Sequence, residues 1–247
     1  MSRLVIFGAT GSLGSHVLHL ALAAEHQVTV FVRNPSRLSP QAQTQVTVLS
    51  GDLSTLAAGD VAQLVSGHDA VINCAGRVNE GQTFVDLIDR LVTGVESIPN
   101  DMRPVCWFIA GVALLDLDSA GRKGVDLPRV KSTYWPHRVN FQRLARSGLN
   151  WRLLCPGPMV EEPALGLNRL RITLDRLPVE LPAFARSLPG PLMLPLFAHV
   201  IPEMIVPYAD AAALMLANLR DDSMARHRVG LALPLGTRGK KSQWAAR

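Results

Sequence analysis

The chain has 247 residues, of which 48% are hydrophobic and 18% charged. That composition supplies a large buried core and excludes a disordered chain. The formal net charge of +5 lies wholly in residues 220–247, where seven Lys/Arg meet two Asp; residues 1–219 are neutral and carry no electrostatic case for nucleic acid.

The first strand-like run, Arg3-Leu4-Val5-Ile6-Phe7, begins almost at once, which points away from a secretory leader and toward a cytoplasmic protein. Strands are predicted at Leu4–Gly8, Val28–Val32, Val46–Leu49, Ala70–Cys74, Val105–Ala110 and Trp151–Cys155, then at Met204–Val206 and Val229–Leu233. Nearly every position in them is apolar, as in strands covered on both faces. Between them, helical spacing predicts Leu13–Ala24, Leu56–Val65 and Thr83–Val95. Another helix, carrying Phe141 and Leu144, stops at Ser147-Gly148. Asp210 reads as the N-cap of Ala211–Leu219.

Strands alternating with helices imply an α/β fold, a doubly wound parallel sheet with right-handed crossovers. Ten of the 17 prolines fall between Pro156 and Pro207, too many for one regular element. The chain therefore reads as one domain in three parts. Residues 1–156 form a dinucleotide-binding core. Residues 157–207 form a small substrate lid of short helices and loops beside the strands' carboxyl ends. Residues 208–247 hold a final helix, a strand and a basic tail, Arg238-Gly239-Lys240-Lys241, read as solvated. The apolar run from Leu192 to Pro207 is too short and too interrupted to span a bilayer. Cys74, Cys106 and Cys155 form no CxxC pair and read as buried free thiols. The seven His show no metal-ligand spacing, so no metal is expected.

The strongest motif is Gly8-Ala9-Thr10-Gly11-Ser12-Leu13-Gly14, between a strand and a helix. Gly8 suits a tight turn, Gly11 a close approach of backbone N–H groups to a pyrophosphate, and Gly14 close helix–strand packing. The helix N-terminus favours the phosphate charge. An NAD-selective domain needs a carboxylate at the end of the second strand, about 20 residues on. This chain has Val32-Arg33-Asn34-Pro35-Ser36-Arg37 there. Arg33 suits bidentate contact with a 2′-phosphate, and Arg37 could add a second contact, so NADP(H) is preferred over NAD(H). In Gly51-Asp52-Leu53, Asp52 either accepts from an adenine amino group or caps the next helix. Small residues in Asn73-Cys74-Ala75-Gly76 let backbone lie against the cofactor's middle.

These segments, with Gly67-His68-Asp69-Ala70-Val71-Ile72 and Ser147 to Pro158, resemble the atypical short-chain dehydrogenases. The likeness is to the NmrA-like and flavin-reductase-like NAD(P)H-binding proteins, and it runs from residue 1 to about residue 160. It implies a Rossmann-like sheet, a nicotinamide near Pro156-Gly157-Pro158, and a small aromatic or quinone-like acceptor. It also implies a proton-donating Tyr with a Lys four residues later, and a Ser at the end of the fifth strand. Here Tyr134 is followed by Arg138, which does not reproduce Lys geometry. Pro136 suits a first helical turn, so Tyr134 could precede the helix. Gly111 stands where flavin-reductase-like members carry a Ser, and His137 aligns with a histidine of that group. The expected catalytic set is Tyr134, His137 and Arg138, acting on a small-molecule substrate.

Three functions are carried forward: an NADPH-dependent oxidoreductase acting on a flat quinone- or flavin-like acceptor, a non-catalytic NADP(H) sensor with a protein partner, and an epimerase-like enzyme acting on nucleotide sugars.

Overall fold

The computed structural model describes residues 1–240. The basic tail's Lys241 and Arg247 lie outside the described residues. In chain order the elements are β1 (Arg3–Phe7), α1 (Ser12–Ala23), β2 (Gln27–Val32), α2 (Pro40–Gln45), β3 (Thr47–Ser50), α3 (Ala58–Val65) and β4 (Ala70–Asn73). There follow α4 (Gln82–Glu96), β5 (Val105–Ile109), α5 (Val130–Arg146), β6 (Trp151–Cys155), β7 (Met159–Val160) and β8 (Arg171–Leu174). The last are α6 (Gly190–Val200), β9 (Val206–Pro207), α7 (Tyr208–Ala217) and β10 (Arg228–Ala232).

Eight strands form one sheet in the order β3-β2-β1-β4-β5-β6-β10-β8, a Rossmann-like arrangement. All neighbours are parallel except β8, which runs antiparallel to β10. In the centre, Val5 of β1 lies opposite Thr29 of β2 and Val71 of β4. Leu4, Val5, Ile6 and Phe7 are fully buried, as strands covered on both faces require. On one face pack α3, α4 and α5, through Val61, Ile88 and Leu144; on the other pack α1 and α7, through Val17 and Ala211. The chain leaves β1 toward β2 and returns from β3 to β4, so the winding reverses between β1 and β4. A crevice opens at the strands' carboxyl ends at such a switch.

Residues 157–207 depart from the expected lid. They add β8 to the sheet edge, pair β7 with β9, and bury Met193, Phe197 and Val200 of α6 in the core on the α3–α5 face. None of them lines the crevice between β1 and β4. Asp210 is not an N-cap either. It sits inside the first turn of α7, is 1% exposed, and accepts from Leu165 N at 2.8 Å and Gly166 N at 2.9 Å. Its carboxylate thus holds a distant loop rather than its own helix.

Among the described residues no helix is long and apolar enough to cross a membrane. None of their His, Cys, Asp and Glu cluster to hold a metal ion.

Candidate functional site

The turn after β1 is built on close approach. Gly8 has φ +75° and its missing Cβ would lie 2.7 Å from Ala75 N, so only glycine fits between the turn and β4. A Cβ on Gly14 would run into the Gly8 carbonyl, so α1 is seated directly on the turn. Gly11 is the N-cap of α1 and offers no side-chain cap, and the first turn of α1 contains no acidic residue. The leading amides of α1 are therefore left open to an anion, with the helix dipole behind them.

Gly8 and Gly11 border a cleft of about 650 Å³. It brings together ten residues singled out above: Gly8, Thr10, Gly11, Arg33, Arg37, Asp52, Leu53, Cys74, Ala75 and Gly76. Arg33 is exposed at the end of β2, and Arg37 donates to the Thr10 carbonyl at 3.4 Å. Asn34 caps the short turn between them by accepting from Ser36 N at 3.0 Å. Thr10 and Arg37 also wall a second cavity of about 420 Å³ between α1 and α2.

Asp52 accepts from Ser54 N at 2.8 Å and from the Ser54 hydroxyl at 2.7 Å; the amide and then the hydroxyl hold its carboxyl below the usual Asp range. It caps the turn at residues 52–54. The helix α3 is capped instead by Asp60, which accepts from Ala57 N at 2.9 Å. Burial pushes the Cys74 thiol up to about 12, so this cleft residue is a neutral thiol rather than a nucleophile.

The other expected residues lie outside the cleft lining. Ala9, Leu13 and Gly14 pack the turn and α1, and Ser12 opens the helix. Pro156, Gly157 and Pro158 follow β6. There the Pro156 carbonyl accepts from Val112 N at 2.8 Å, Gly157 abuts Met204, and the Pro158 carbonyl accepts from Val206 N at 3.2 Å.

The helix α5 starts at Val130, so Tyr134 is helical and Pro136 is interior; the expectation that the helix begins after Tyr134 is overturned. Lys131 N already donates to the Leu127 carbonyl at 3.0 Å, a start set by the preceding turn and not by the proline. Tyr134 and Arg138 therefore share a face. Arg138, however, is paired with Asp126 at 2.7 Å. Tyr134 instead stacks on His137, with ring centroids 6.0 Å apart. His137 is 8% exposed, and burial pushes its imidazole down to about 4. Its Nε2 lies 3.5 Å from where a Cβ on Gly111 would stand, an ordinary van der Waals distance, so the ring edge faces that glycine without crowding it.

Sequence reasoning missed Ser54, Arg77, Glu80, Thr83 and Leu87, which also line the cleft. Thr83 and Leu87 lie four apart on α4, a spacing that could have placed them on one face. Arg77 directly follows Gly76, at the edge of a motif already recognised.

A family model described as NAD(P)H-binding matches residues 8–176. The fold is similar to that of a Rossmann-fold NAD(P)-binding family protein from Shigella flexneri (TM-score 0.65, 17% identity, 98% of each chain covered). It is also similar to an oxidoreductase from Lactococcus lactis (TM-score 0.68, 17% identity, 96% of this chain and 92% of that one). A third likeness is to an anaerobillin reductase from Escherichia coli O157:H7 (TM-score 0.62, 18% identity, 95% and 98%). At these identities the likeness is one of fold.

Proposed function

The chain belongs to the NAD(P)H-binding family, and on that premise we propose that it is an NADPH-dependent reductase of a small flat acceptor, quinone- or flavin-like. The observation that carries the reading is the make-up of the cleft: an uncapped glycine turn, and Arg33 and Arg37 just past β2, in a stretch of chain without a carboxylate.

The residues present fit such a cofactor. Gly8 lets the turn close on the Cys74–Ala75 backbone, Gly11 puts no side chain in front of the helix, and the leading amides of α1 suit a pyrophosphate. Arg33 would take a 2′-phosphate through its planar fork, with Arg37 beside it. Asp52 and Leu53 would border the adenine, and Cys74, Ala75 and Gly76 the middle of the cofactor. Pro156, Gly157 and Pro158 would flank the acceptor end. The bound cofactor would supply a hydride. The protein's part is to orient the acceptor and exclude water.

The carbonyl chemistry of ordinary short-chain dehydrogenases is not expected. Gly111 offers no hydroxyl, and Arg138 is engaged by Asp126 instead of supporting Tyr134. An acceptor that needs little proton help tolerates both. The Arg138–Asp126 pair equally favours a second reading, a non-catalytic NADP(H) sensor. An epimerase-like activity on nucleotide sugars would need the intact Tyr/Lys pair and is set aside.

The test is titration with NADPH and NADH, followed by turnover on quinone, flavin and aldehyde panels. NADPH should bind at least tenfold tighter, a gap of about 1.4 kcal/mol. Arg33→Ala should remove most of that gap. Turnover of quinone or flavin without aldehyde reduction supports the reductase. Tight binding with no turnover supports the sensor, and equal affinity for both cofactors refutes the role given to Arg33.

A further inference from the structure

His137 and Asn140 lie three residues apart on the buried face of α5, at 8% and 5% exposure. Burying such polar groups is unfavourable by a few kcal/mol, on the order of 1–3, unless they are hydrogen-bonded. Yet among the described residues His137 Nδ1 and both side-chain polar atoms of Asn140 have no partner. Side chains three apart on a helix are neighbours, with Cβ atoms about 5–6 Å apart. The two residues therefore carry their unpaired atoms on adjacent turns of the same buried face.

The imidazole is clamped. Phe84 meets it edge-on, with centroids 5.7 Å apart and planes at 87°, and Tyr134 stacks on it at 24°. Tyr134 is the titratable group touching the ring, while Arg138 is turned to Asp126. With Nδ1 buried at one end, the opposite nitrogen, Nε2, faces Gly111. Burial keeps the imidazole neutral at physiological pH, and a neutral imidazole donates from one nitrogen and accepts at the other. Which nitrogen carries the proton is set by the partner of Nδ1, and that partner is commonly a carbonyl-type oxygen accepting from Nδ1–H.

We propose that Asn140 is a positioning residue that fixes the tautomer of His137: Nδ1–H donates toward Asn140 Oδ1 through one bridging water, and Nε2 presents a lone pair at Gly111. The inference rests on the reductase reading for its consequence, which is a choice of substrate class. A ligand beside Gly111 must bring an N–H or O–H donor. A flavin-like ring, with its imide N–H, satisfies that need. A simple quinone sets its own lone pair against that of Nε2. Asn140 thereby favours the flavin-like half of the acceptor class.

The tautomer is read by 15N NMR of the histidine-labelled full chain, with neither cofactor nor acceptor present. The parent should show a neutral His137 with its proton on Nδ1 between pH 5 and 7. Asn140→Leu, close in volume, should move the proton to Nε2 or give a mixture. Asn140→Asp should keep it on Nδ1 and raise the midpoint of the imidazole titration by at least one pH unit. A proton on Nε2 in the parent, an unchanged tautomer in Asn140→Leu, or an unmoved midpoint in Asn140→Asp would each overturn the proposal. Should the leucine variant fail to fold, the aspartate variant decides alone. A separate assay compares riboflavin with 1,4-naphthoquinone. Faster riboflavin turnover by the parent, by tenfold or more, and loss of that preference in Asn140→Leu are expected. A preference for the quinone would overturn the substrate class. Absence of all turnover would refute the reductase reading while the NMR result stands.

Discussion

At its centre, between β1 and β4, the sheet is closed by apolar side chains and by glycines that let backbone meet backbone. At its far edge, between β6 and β8, it is closed around a buried arginine. Arg228 donates to the Asp116 carboxylate at 3.0 and 3.1 Å, to Asp175 at 3.1 Å and to the Leu114 carbonyl at 2.8 Å. Its guanidinium carbon lies 4.9 Å over the Phe141 ring. Steric exclusion leaves one end of the sheet open at the switch point, where a ligand can approach main chain. The ionic edge spends its polar groups on one another. The cleft lies over the first half of the fold, and residues 157–207 are absent from its lining.

The contrast is tested by breaking each region in turn. The largest effect should come from Gly14→Ala, whose Cβ would collide with the Gly8 carbonyl backbone. A loss of about 4 kcal/mol is expected in denaturant unfolding. A loss below about 1 kcal/mol would show that the glycine turn gives way easily.

Next is Arg228→Met, which leaves Asp116 to Lys123 and Asp175 to His227. Because both carboxylates are partly exposed, the loss should be about 2–3 kcal/mol, below the range for a fully buried pair. The same network sets an acid dependence. Burial pushes the Asp116 carboxyl up, but bonds from Arg228 and Lys123 outweigh it and hold it below the ordinary value of 3.8. For Asp175 burial is likewise outweighed, by His227 and Arg228. With folded pKa values depressed, their stabilisation is full above about pH 4 and is lost as pH falls below it. Urea midpoints measured between pH 6 and 3 should fall less steeply for Arg228→Met than for the parent. Parallel slopes would place the acid sensitivity elsewhere.

The smallest effect should be that of Asp210→Asn. It leaves one amide oxygen for the two backbone donors, Leu165 N and Gly166 N, and should lose about 1 kcal/mol. A loss as large as that of Gly14→Ala would erase the distinction between the two regions.

The same division governs what could be read in advance. β6 matches its predicted bounds, and β1, β2, β4, β5 and β10 fall within one residue at each end, because each is a mostly apolar run bounded by polar residues, Gly or Pro. The glycine turn, Arg33, Asp52 and Cys74–Gly76 converge because each follows a parallel strand within two residues, and the turn at residues 35–37 brings Arg37 back to them. By contrast β8 does alternate, as Arg171-Ile172-Thr173-Leu174, but it is only four residues long and half-buried, too short a run to stand out as a strand. α6 hides behind Pro191 and Pro195, which local rules treat as breakers. The start of α5 and the role of Asp210 depend on distant partners: a turn at Leu127 and a loop 45 residues away. Spacing within the chain cannot report such partners.

The central claim is that the glycine turn between β1 and α1 holds a dinucleotide. Gly11→Val tests it most directly, because a Cβ there meets its nearest atom, the Gly8 carbonyl oxygen, at 3.3 Å, and φ −87° suits any residue. The fold should therefore survive while the space for a pyrophosphate is filled. Calorimetric titration of parent and variant with NADPH, alongside their melting curves, is the measurement. The account predicts binding by the parent and at least a hundredfold loss in a variant that still unfolds cooperatively. A folded Gly11→Val protein that binds NADPH as tightly as the parent would contradict it.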